Sequence, residues 1–483
     1  MLKSGPGIAK GSLDTVGDAA ESAQVSDDGL TYTIKLRPNV RWHTPLDRAM
    51  TADDVVFSWD RFSGKTPNST PSTRLVNLTM VKSVTAKDPQ TVVFSLSQPY
   101  PFFLARLADP KSFFVMPKET GTAFDPSQKV VGSGPWVLQE YQPNTVIKYA
   151  RHTGWHFGPD LPYYDNVVVN IIPTYATQLS QFQAGNLDVV NVAGTDLNSL
   201  KNSVSGVQIY ATAPYPLSVL NFSPLDKRWD DVRLRHAVSM AMDRSAMLDA
   251  AYGLQQVEQA GIQVGRTWHN YIPVAFSEYW LDPQGAEIKP DAAANFKYDA
   301  AGAKQLVDAA GGPFETEFHY AAQNSGYGEP YRIISELLIQ YLSKIGITAK
   351  AFEEDYNSTF LLQSGQGKTN GLTWIPQTRT DPFAYYQTQY LNPTHPIYGR
   401  WVDQPLTTTV QQIQALTDPV QLKTKIKDLQ NELGGKMYVV PMQYGAAPTF
   451  IAYQPHVRNA LDYQSLAQGG PAENLPHYWS SKA

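Results

Sequence analysis

The chain of 483 residues contains no cysteine. This absence excludes disulfide scaffolds, thiol catalysis, iron–sulfur clusters and zinc sites with cysteine ligands. Charged residues make up only 17% of the chain, and 39 basic against 44 acidic residues leave a net charge of −5. Because nucleic acids and anionic membranes are bound by clustered positive charge, the sequence predicts neither as a main partner. The chain also lacks a run of roughly 18 apolar residues, which a membrane-spanning helix requires.

Hydrophobic residues supply 42% of the chain and aromatic residues 12%, including 27 tyrosines and 10 tryptophans. This apolar content is enough for a large core, and the length fits two or three domains of about 150 residues each. Aromatic side chains give a large contact area, and Tyr and Trp add a hydrogen-bonding group. Most of them fill cores, but a cleft lined by some of them suits ligand binding without chemistry.

Strand and helix patterns alternate along the chain. Residues 31–37 alternate apolar and polar side chains, as a half-buried strand does. A helix is predicted after the capping residue Thr51. Further helices are predicted behind Asp299 and Asp418, and the second of these is expected to stop at the glycine pair 434–435. The predicted fold class is therefore α/β, spread over more than one domain.

Motifs for catalysis are absent or incomplete. Two Gly-Lys-Thr triplets, at 64–66 and 367–369, lack the glycine five residues earlier that a phosphate-binding loop needs. His152 and His156 have the spacing of metal ligands on a helix, but Gly154 between them favours a polar, aromatic loop. No G-x-S-x-G motif occurs, and sequence spacing cannot give the carboxylate separation of a glycosidase. The sequence predicts no catalytic residue, no metal site and no cofactor.

Several segments share, in order, the pattern of one protein family. The most distinctive is a strand ending in L-R-x-x-V followed by a helix beginning T-A-x-D-V, found here at 26–42 and 51–62. The later matching segments are 132–136 (GSGPW), 183–189 (QAGNLDV), 231–243 (DVRLRHAVSMAMD), 298–311 (YDAAGAKQLVDAAG) and 344–347 (KIGI). Together they resemble family 5 of the solute-binding proteins of ABC transporters, the dipeptide/oligopeptide/nickel-binding type. The resemblance covers nearly the whole chain.

The resemblance implies a two-lobed periplasmic-binding-protein-like fold (type II, cluster C) with an extra inserted domain, whose lobes close over a ligand. On this plan the segments are an extra domain at 26–130, lobe I at 131–220 and 455–483, and lobe II at 221–454. The chain is expected to cross between the lobes near 221–230 and 454–459.

The N-terminus departs from the family pattern. Family members carry a longer stretch before the strand that begins here at Ser26, including an export signal. Residues 1–25 are therefore interpreted as a remnant of the N-terminal region, and a longer reading frame upstream is expected. Residues 1–10 have no apolar segment of the kind that a secretory signal needs, so no signal peptide is predicted in this sequence.

The predicted ligand site follows from a second departure. Peptide-binding members hold the ligand's α-ammonium with an Asp three residues after a Trp. Here Gln377 stands three residues after Trp374, and the following Asp-Pro pair begins at Asp381, in a loop one residue longer. Because a buried ammonium needs a counter-charge, Gln377 argues against a ligand with a free amine.

Four residues are nevertheless expected to bind ligand. The resemblance implies stacking by Trp374 and hydrogen bonding by Gln377, with Arg379 and Asp381 as further contacts. Arg379 is expected to face a carboxylate or another anionic group, and the alternative is a solvated loop side chain. For Asp381, a helix cap before Pro382 is an equal alternative.

The implied function is that of an extracytoplasmic solute-binding subunit of an ABC importer, periplasmic or at the cell surface, and not an enzyme. It is expected to act as a monomer, with a small-molecule or peptide-like solute and a membrane permease as partners and no nucleic acid. A blocked peptide, an opine-like molecule and an oligosaccharide stay open as solutes, as do a lipoprotein anchor and a free periplasmic form. The alternatives are a sensor or chaperone on the same fold and, with less support, a hydrolase.

Overall fold

A computed structural model of the chain describes residues 1–3, 13–67, 69–109, 112–322, 325–379, 381–391, 394, 401, 404–461 and 475–481. Strands and helices are interleaved throughout, which confirms the predicted α/β class. Within the described residues, no helix combines the length and the apolar character needed to cross a bilayer.

The strands are β1 (Leu2–Lys3), β2 (Val16–Gly17), β3 (Ala20–Val25), β4 (Thr31–Leu36), β5 (Val81–Asp88), β6 (Thr91–Leu96), β7 (Trp136–Gln142), β8 (Val146–Arg151), β9 (Asn166–Asn170), β10 (Val189–Val192), β11 (Gln208–Ala211), β12 (Leu217–Phe222), β13 (Phe314–Ala321), β14 (Ile347–Glu354), β15 (Leu372–Gln377), β16 (Val439–Met442), β17 (Phe450–Tyr453), β18 (Val457–Arg458) and β19 (Trp479–Ser480).

The helices are α1 (Ala52–Phe62), α2 (Phe103–Ala108), α3 (Tyr175–Gln183), α4 (Leu197–Ser203), α5 (Val232–Met240), α6 (Arg244–Tyr252), α7 (Leu254–Gln259), α8 (Pro290–Phe296), α9 (Ala300–Ala309), α10 (Glu329–Lys344), α11 (Leu361–Gly365), α12 (Pro382–Tyr390), α13 (Gln404–Gln414) and α14 (Pro419–Lys436). Short 3₁₀ turns lie at Thr73–Leu78, Gly194–Asp196, Lys227–Asp230 and Leu475–His477, and a π-helical turn at Tyr356–Phe360 leads into α11.

The extra domain is built on a four-stranded antiparallel sheet in the order β3-β4-β6-β5, with α1 packed against it. In β4, Tyr32, Ile34 and Leu36 are buried, as their alternation with polar residues predicts. The sheet begins at Ala20, so part of the segment interpreted as an N-terminal remnant belongs to this domain.

The first lobe contains two three-stranded sheets, β7-β8-β9 and β10-β17-β11, and the small pair β18-β19. The second lobe has one five-stranded mixed sheet in the order β14-β13-β15-β12-β16, in which β13 runs parallel to β14 and β15. β12 lies between β15 and β16 and is antiparallel to both. The sheets of the two lobes share no strand.

The strand pairings show where the chain passes from one sheet to the other. β12 begins at Leu217 and belongs to the second-lobe sheet, whereas β17 ends at Tyr453 and belongs to the first lobe. The chain therefore passes between the two sheets at 212–216 and 443–449, which are called the crossing segments below. The lobe boundaries expected near 221–230 and 454–459 stay a prediction.

The observed helix ends can be compared with the starts and the stop predicted from the sequence. Asp299 accepts a hydrogen bond from Gly302 N at 2.8 Å and Asp418 one from Gln421 N at 2.7 Å, which confirms both predicted starts. The predicted stop at 434–435 is wrong, since α14 continues to Lys436. A Cβ atom at Gly434 would lie 2.9 Å from Cβ of Ala292 in α8, so this glycine allows two helices to approach closely.

The buried apolar residues form cores of very different size. One core runs continuously through the extra domain and the second lobe, from Phe94 and Phe103 to Phe318 and Leu433. The first lobe has a separate, smaller core around Phe182. α7 of the second lobe is packed into this smaller core, so the lobes touch beside the two crossing segments as well as through them.

Candidate ligand-binding site

The two crossing segments touch each other where the lobes meet. Gly445, in the second segment, has φ +82°, and a Cβ atom there would lie 2.1 Å from the carbonyl oxygen of Pro216 in the first segment. Glycine is required at this point both for the backbone conformation and for the close approach. Gly445 N donates to the hydroxyl of Tyr252 at 2.7 Å, which ties the junction to α6.

A buried histidine lies beside the same junction. His269 is fully buried, and its Nε2 is 2.9 Å from the carbonyl oxygen of Pro216. A carbonyl only accepts hydrogen bonds, so Nε2 carries the proton and Nδ1 accepts from Val274 N at 3.3 Å. Burial lowers the pKa of His269 to about 4, so the ring is neutral at pH 7.

Five aromatic side chains form a cluster on one face of the second-lobe sheet, next to the second crossing segment. The members of this cluster, called the Trp374 cluster below, are Tyr327, Tyr331, Tyr356, Trp374 and Tyr444. Trp374 stacks on Tyr331 with ring centres 4.1 Å apart, and Tyr444 meets Tyr331 edge-on at 5.6 Å. Because Tyr444 belongs to the crossing segment, the cluster is fixed to the junction of the lobes.

Hydrogen bonds hold the Trp374 cluster rigid. The hydroxyl of Tyr331 donates to the carbonyl oxygen of Trp374 at 3.0 Å, and that of Tyr444 donates to the carbonyl oxygen of Tyr327 at 3.0 Å. Burial raises the pKa of Tyr444 to about 12 and raises that of Tyr327 and Tyr331 as well, so these phenols stay neutral donors. Among the residues that the structure describes, the buried indole nitrogen of Trp374 has no hydrogen-bond partner.

Gln377 lies at the end of the same strand, but on the other face of the sheet. Along β15 the pairing with β12 is regular, with Trp374 opposite Leu220 and Gln377 opposite Leu217. Side chains alternate along a strand, so residues three apart point to opposite faces. Gln377 is buried, and Gln389 of α12 donates to its Oε1 at 3.5 Å. The structure therefore does not bring Trp374 and Gln377 together on one face.

Arg379 follows in the loop after β15 and lies against the first crossing segment. Tyr215 of that segment donates from its hydroxyl to the carbonyl oxygen of Arg379. Arg379 N in turn donates to the hydroxyl of Tyr385 in α12 at 3.2 Å. The Arg379 side chain is half-buried, and no described residue forms a hydrogen bond with its Nε atom. The loop is thus fixed through its backbone, while the guanidinium is not engaged at Nε.

Asp381 is fully buried at the start of α12, where it caps the helix by accepting from Ala384 N at 2.8 Å. Arg106 Nε of the extra domain donates to its carboxylate at 2.8 Å, and the Tyr100 hydroxyl donates at 3.0 Å. Burial lowers the pKa of the Arg106 guanidinium, but the carboxylate of Asp381 opposes this effect and the pKa is raised. Asp381 therefore joins the extra domain to the second lobe.

Sequence reasoning missed several residues at this junction. Tyr215, His269, Tyr331 and Tyr444 were not among the residues expected to bind ligand. Gln443, beside Tyr444, is buried with neither amide atom hydrogen-bonded. No local signal marks these residues, since their proximity to Trp374 and Arg379 depends on which strands pair.

The two histidines with metal-like spacing lie in a loop, as interpreted. His152 contacts the carbonyl oxygen of Gly134 at 3.1 Å, and His156 contacts Asp18 at 3.2 Å. They are engaged by different parts of the chain. In the part of the chain that the structure describes, no group of three His, Asp or Glu side chains is placed to hold a metal ion.

Comparison with known proteins identifies the family of the chain. The model of bacterial extracellular solute-binding proteins, family 5 (middle), matches residues 14–395. The chain belongs to this family. It is accordingly a solute-binding protein of the ABC-importer type, and family membership leaves the solute open.

Individual relatives bind different solutes. Heme-binding protein A of Haemophilus influenzae is 28% identical over 361 residues, which is 70% of this chain and 62% of that protein. The dipeptide-binding protein of Escherichia coli K12 is 26% identical over 436 residues, 84% of this chain and 77% of that protein. The names of both relatives describe binding proteins, one for heme and one for dipeptides.

Solved structures confirm the two-lobed fold. DppA of Helicobacter pylori in complex with the peptide STSA superposes with a TM-score of 0.76 at 19% identity, covering 100% of this chain and 92% of that one. AppA of Bacillus subtilis in complex with a nonapeptide gives 0.73 at 18% identity, with 100% and 92% covered.

Proposed function

We propose that this chain captures a peptide-like or other small organic solute between its two lobes and delivers it to the membrane permease of an ABC importer. The observation that carries the proposal is the position of the Trp374 cluster and of the loop bearing Arg379. Each is fixed to one of the two segments that join the lobes. Closure of the lobes about these segments changes the space beside both groups at once.

The proposed contacts differ in kind. Trp374 and its neighbours form an aromatic wall whose free indole N–H is available to a solute once the lobes part. Gln377, on the opposite face of the sheet from Trp374, supplies an uncharged amide, and Arg379 in the following loop supplies a cation. Asp381 accepts hydrogen bonds from three groups and has no exposed surface. Its proposed role is to position α12 and not to contact the solute. We include no catalytic step and no cofactor, and we place the protein outside the cytoplasm as a monomer.

A binding screen with the purified chain tests the proposal. A solute that binds only the folded state raises apparent stability, by about 2.7 kcal/mol at a hundredfold excess over Kd. We expect di- or tripeptides, free or blocked, to raise Tm in thermal shift and to give a titration curve in calorimetry. Oligosaccharides and opines complete the panel.

Two tryptophan variants make the screen specific for the site. Trp374→Phe removes the indole N–H and is expected to weaken solute binding severalfold, whereas Trp479→Phe changes a side chain that is 42% exposed in the first lobe and should leave affinity unchanged. Stabilisation by sugars alone contradicts the peptide-like solute. Release of a cleaved product from any panel member would favour the hydrolase alternative instead.

A further inference from the structure

The loop after β15 carries two charged side chains of opposite sign, Arg379 and Asp381. On formal charge they cancel. Their surroundings differ, however, because the protein engages the carboxylate of Asp381 and leaves the Nε atom of Arg379 without a partner in the described part of the chain. This difference bears on the chemistry that the loop can recognise.

The carboxylate of Asp381 is fully engaged by the protein. Arg106 Nε, the Tyr100 hydroxyl and Ala384 N all donate to it at 2.8–3.0 Å, and none of its surface is exposed. The Arg106 guanidinium is itself buried and lies 4.2 Å from the centre of the Tyr100 ring. The negative charge of Asp381 is therefore balanced by Arg106 of the extra domain.

Arg379 is in the opposite position. Two tyrosine hydroxyls, of Tyr215 and Tyr385, hold its backbone, but its half-buried side chain has an unpartnered Nε. Among the residues that the structure describes, no carboxylate forms an ion pair with it. Gln377, two residues earlier at the end of β15, is uncharged. A partly desolvated guanidinium without an anion is unfavourable, and a bound anion relieves that cost.

We infer that the site selects a solute that presents a carboxylate or a similar anionic group to Arg379, and that it does not require a free ammonium group. The inference rests on the proposed function and names the solute class for it. A guanidinium matches a carboxylate with two parallel hydrogen bonds, which gives orientation as well as affinity. An ammonium group placed beside Gln377 and Arg379 would meet no counter-charge and one like charge.

One set of tripeptides, each made in four versions, tests the inference by calorimetry with the full chain. The versions are unmodified, N-acetylated, C-amidated and blocked at both ends. Because a hydrogen bond to a charged group adds 1.5–3 kcal/mol, we expect C-amidation to weaken binding roughly tenfold or more. N-acetylation is expected to change Kd by less than about threefold, since no ion pair is lost.

Site variants connect the preference to Arg379. In Arg379→Gln the acid and the amide are expected to bind with equal affinity, and Arg379→Lys should retain part of the preference because it keeps the charge. Gln377→Asp is expected to shift preference towards the unmodified N-terminus. Arg74→Gln, an exposed arginine of the extra domain, is the control and should bind as the unaltered protein does.

The outcomes separate this inference from the proposed function. Equal binding of acid and amide by the unaltered protein overturns the inference and leaves solute capture standing. Equal weakening of both versions by Arg379→Gln shows a merely structural arginine and also overturns it. Failure of every tripeptide version to bind contradicts the peptide-like solute, and the inference falls with it.

Discussion

The two lobes differ most clearly in how their strands are covered. All six residues of β12, in the middle of the second-lobe sheet, are buried. In β9, at the edge of a first-lobe sheet, Val168 and Val169 are 52% and 44% exposed. Both strands are rich in apolar residues. What packs on the faces of each sheet therefore decides the difference, because the apolar side chains of β12 belong to the large core whereas these two valines of the edge strand β9 are left partly uncovered.

The difference continues around β9. A cavity of about 510 Å³ lies between β9 and β10, two strands that are both at the edges of their sheets. The second lobe, in contrast, shares a continuous core with the extra domain, and Trp374 is part of that core. Trp374 is thus held in place by packing before a solute binds, and such preorganisation favours binding.

Removing the charge of Asp381 is the strongest way to break the link between the extra domain and the second lobe. Asp381→Asn leaves the buried Arg106 guanidinium without its counter-charge, and breaking such a pair costs about 3–5 kcal/mol. We expect a clear fall in the urea midpoint, followed by tryptophan fluorescence.

The matched control for this change lies in the first lobe. Asp188 pairs with His456 at 2.8 Å, but its side chain is 63% exposed, so Asp188→Asn should have little effect on stability. A small loss at Asp381 would mean that the Arg106 pair does not hold the domain in place.

Folding stability at low pH tests the role of His269 at the junction between the lobes. His269 is neutral when folded because burial lowers its pKa to about 4, whereas an unfolded histidine titrates near 6.5. As pH falls from about 6.5 to about 4, the unfolded chain takes up a proton that the folded chain does not, so folding stability falls through this window. The full difference corresponds to about 3 kcal/mol.

The measurement is Tm against pH for the unaltered protein and for His269→Gln. Glutamine keeps a donor for the carbonyl oxygen of Pro216 but does not titrate. Its Tm is therefore expected to fall less steeply between pH 6.5 and 4. Identical slopes would show that other groups account for the acid sensitivity.

Local sequence signals predicted elements better than they predicted the site. The caps at Asp299 and Asp418 depend on neighbouring residues and were found correctly. Gly434 was misinterpreted as a helix stop, because its contact with Ala292 joins helices more than a hundred residues apart.

The same limit applies to the proposed contacts. Trp374 and Gln377 are close in sequence, yet strand alternation puts them on opposite faces. The partner of Asp381 is Arg106, 275 residues away, and no spacing rule connects the two. The alternative of a helix cap for Asp381 agrees with the structure, which places Ala384 N 2.8 Å from its carboxylate.

A matched pair of valine substitutions measures the contrast between the lobes directly. Val219→Ala in β12 removes two buried methyl groups from a residue with no exposed surface, which should cost about 2–3 kcal/mol. Val168→Ala in β9 removes the same atoms where they are half in water, at a cost of about 0.5 kcal/mol. Urea unfolding of both variants checks the difference. Equal losses in the free energy of unfolding would show that the exposed face of β9 is covered in solution. The contrast between the lobes would then hold only for the single chain.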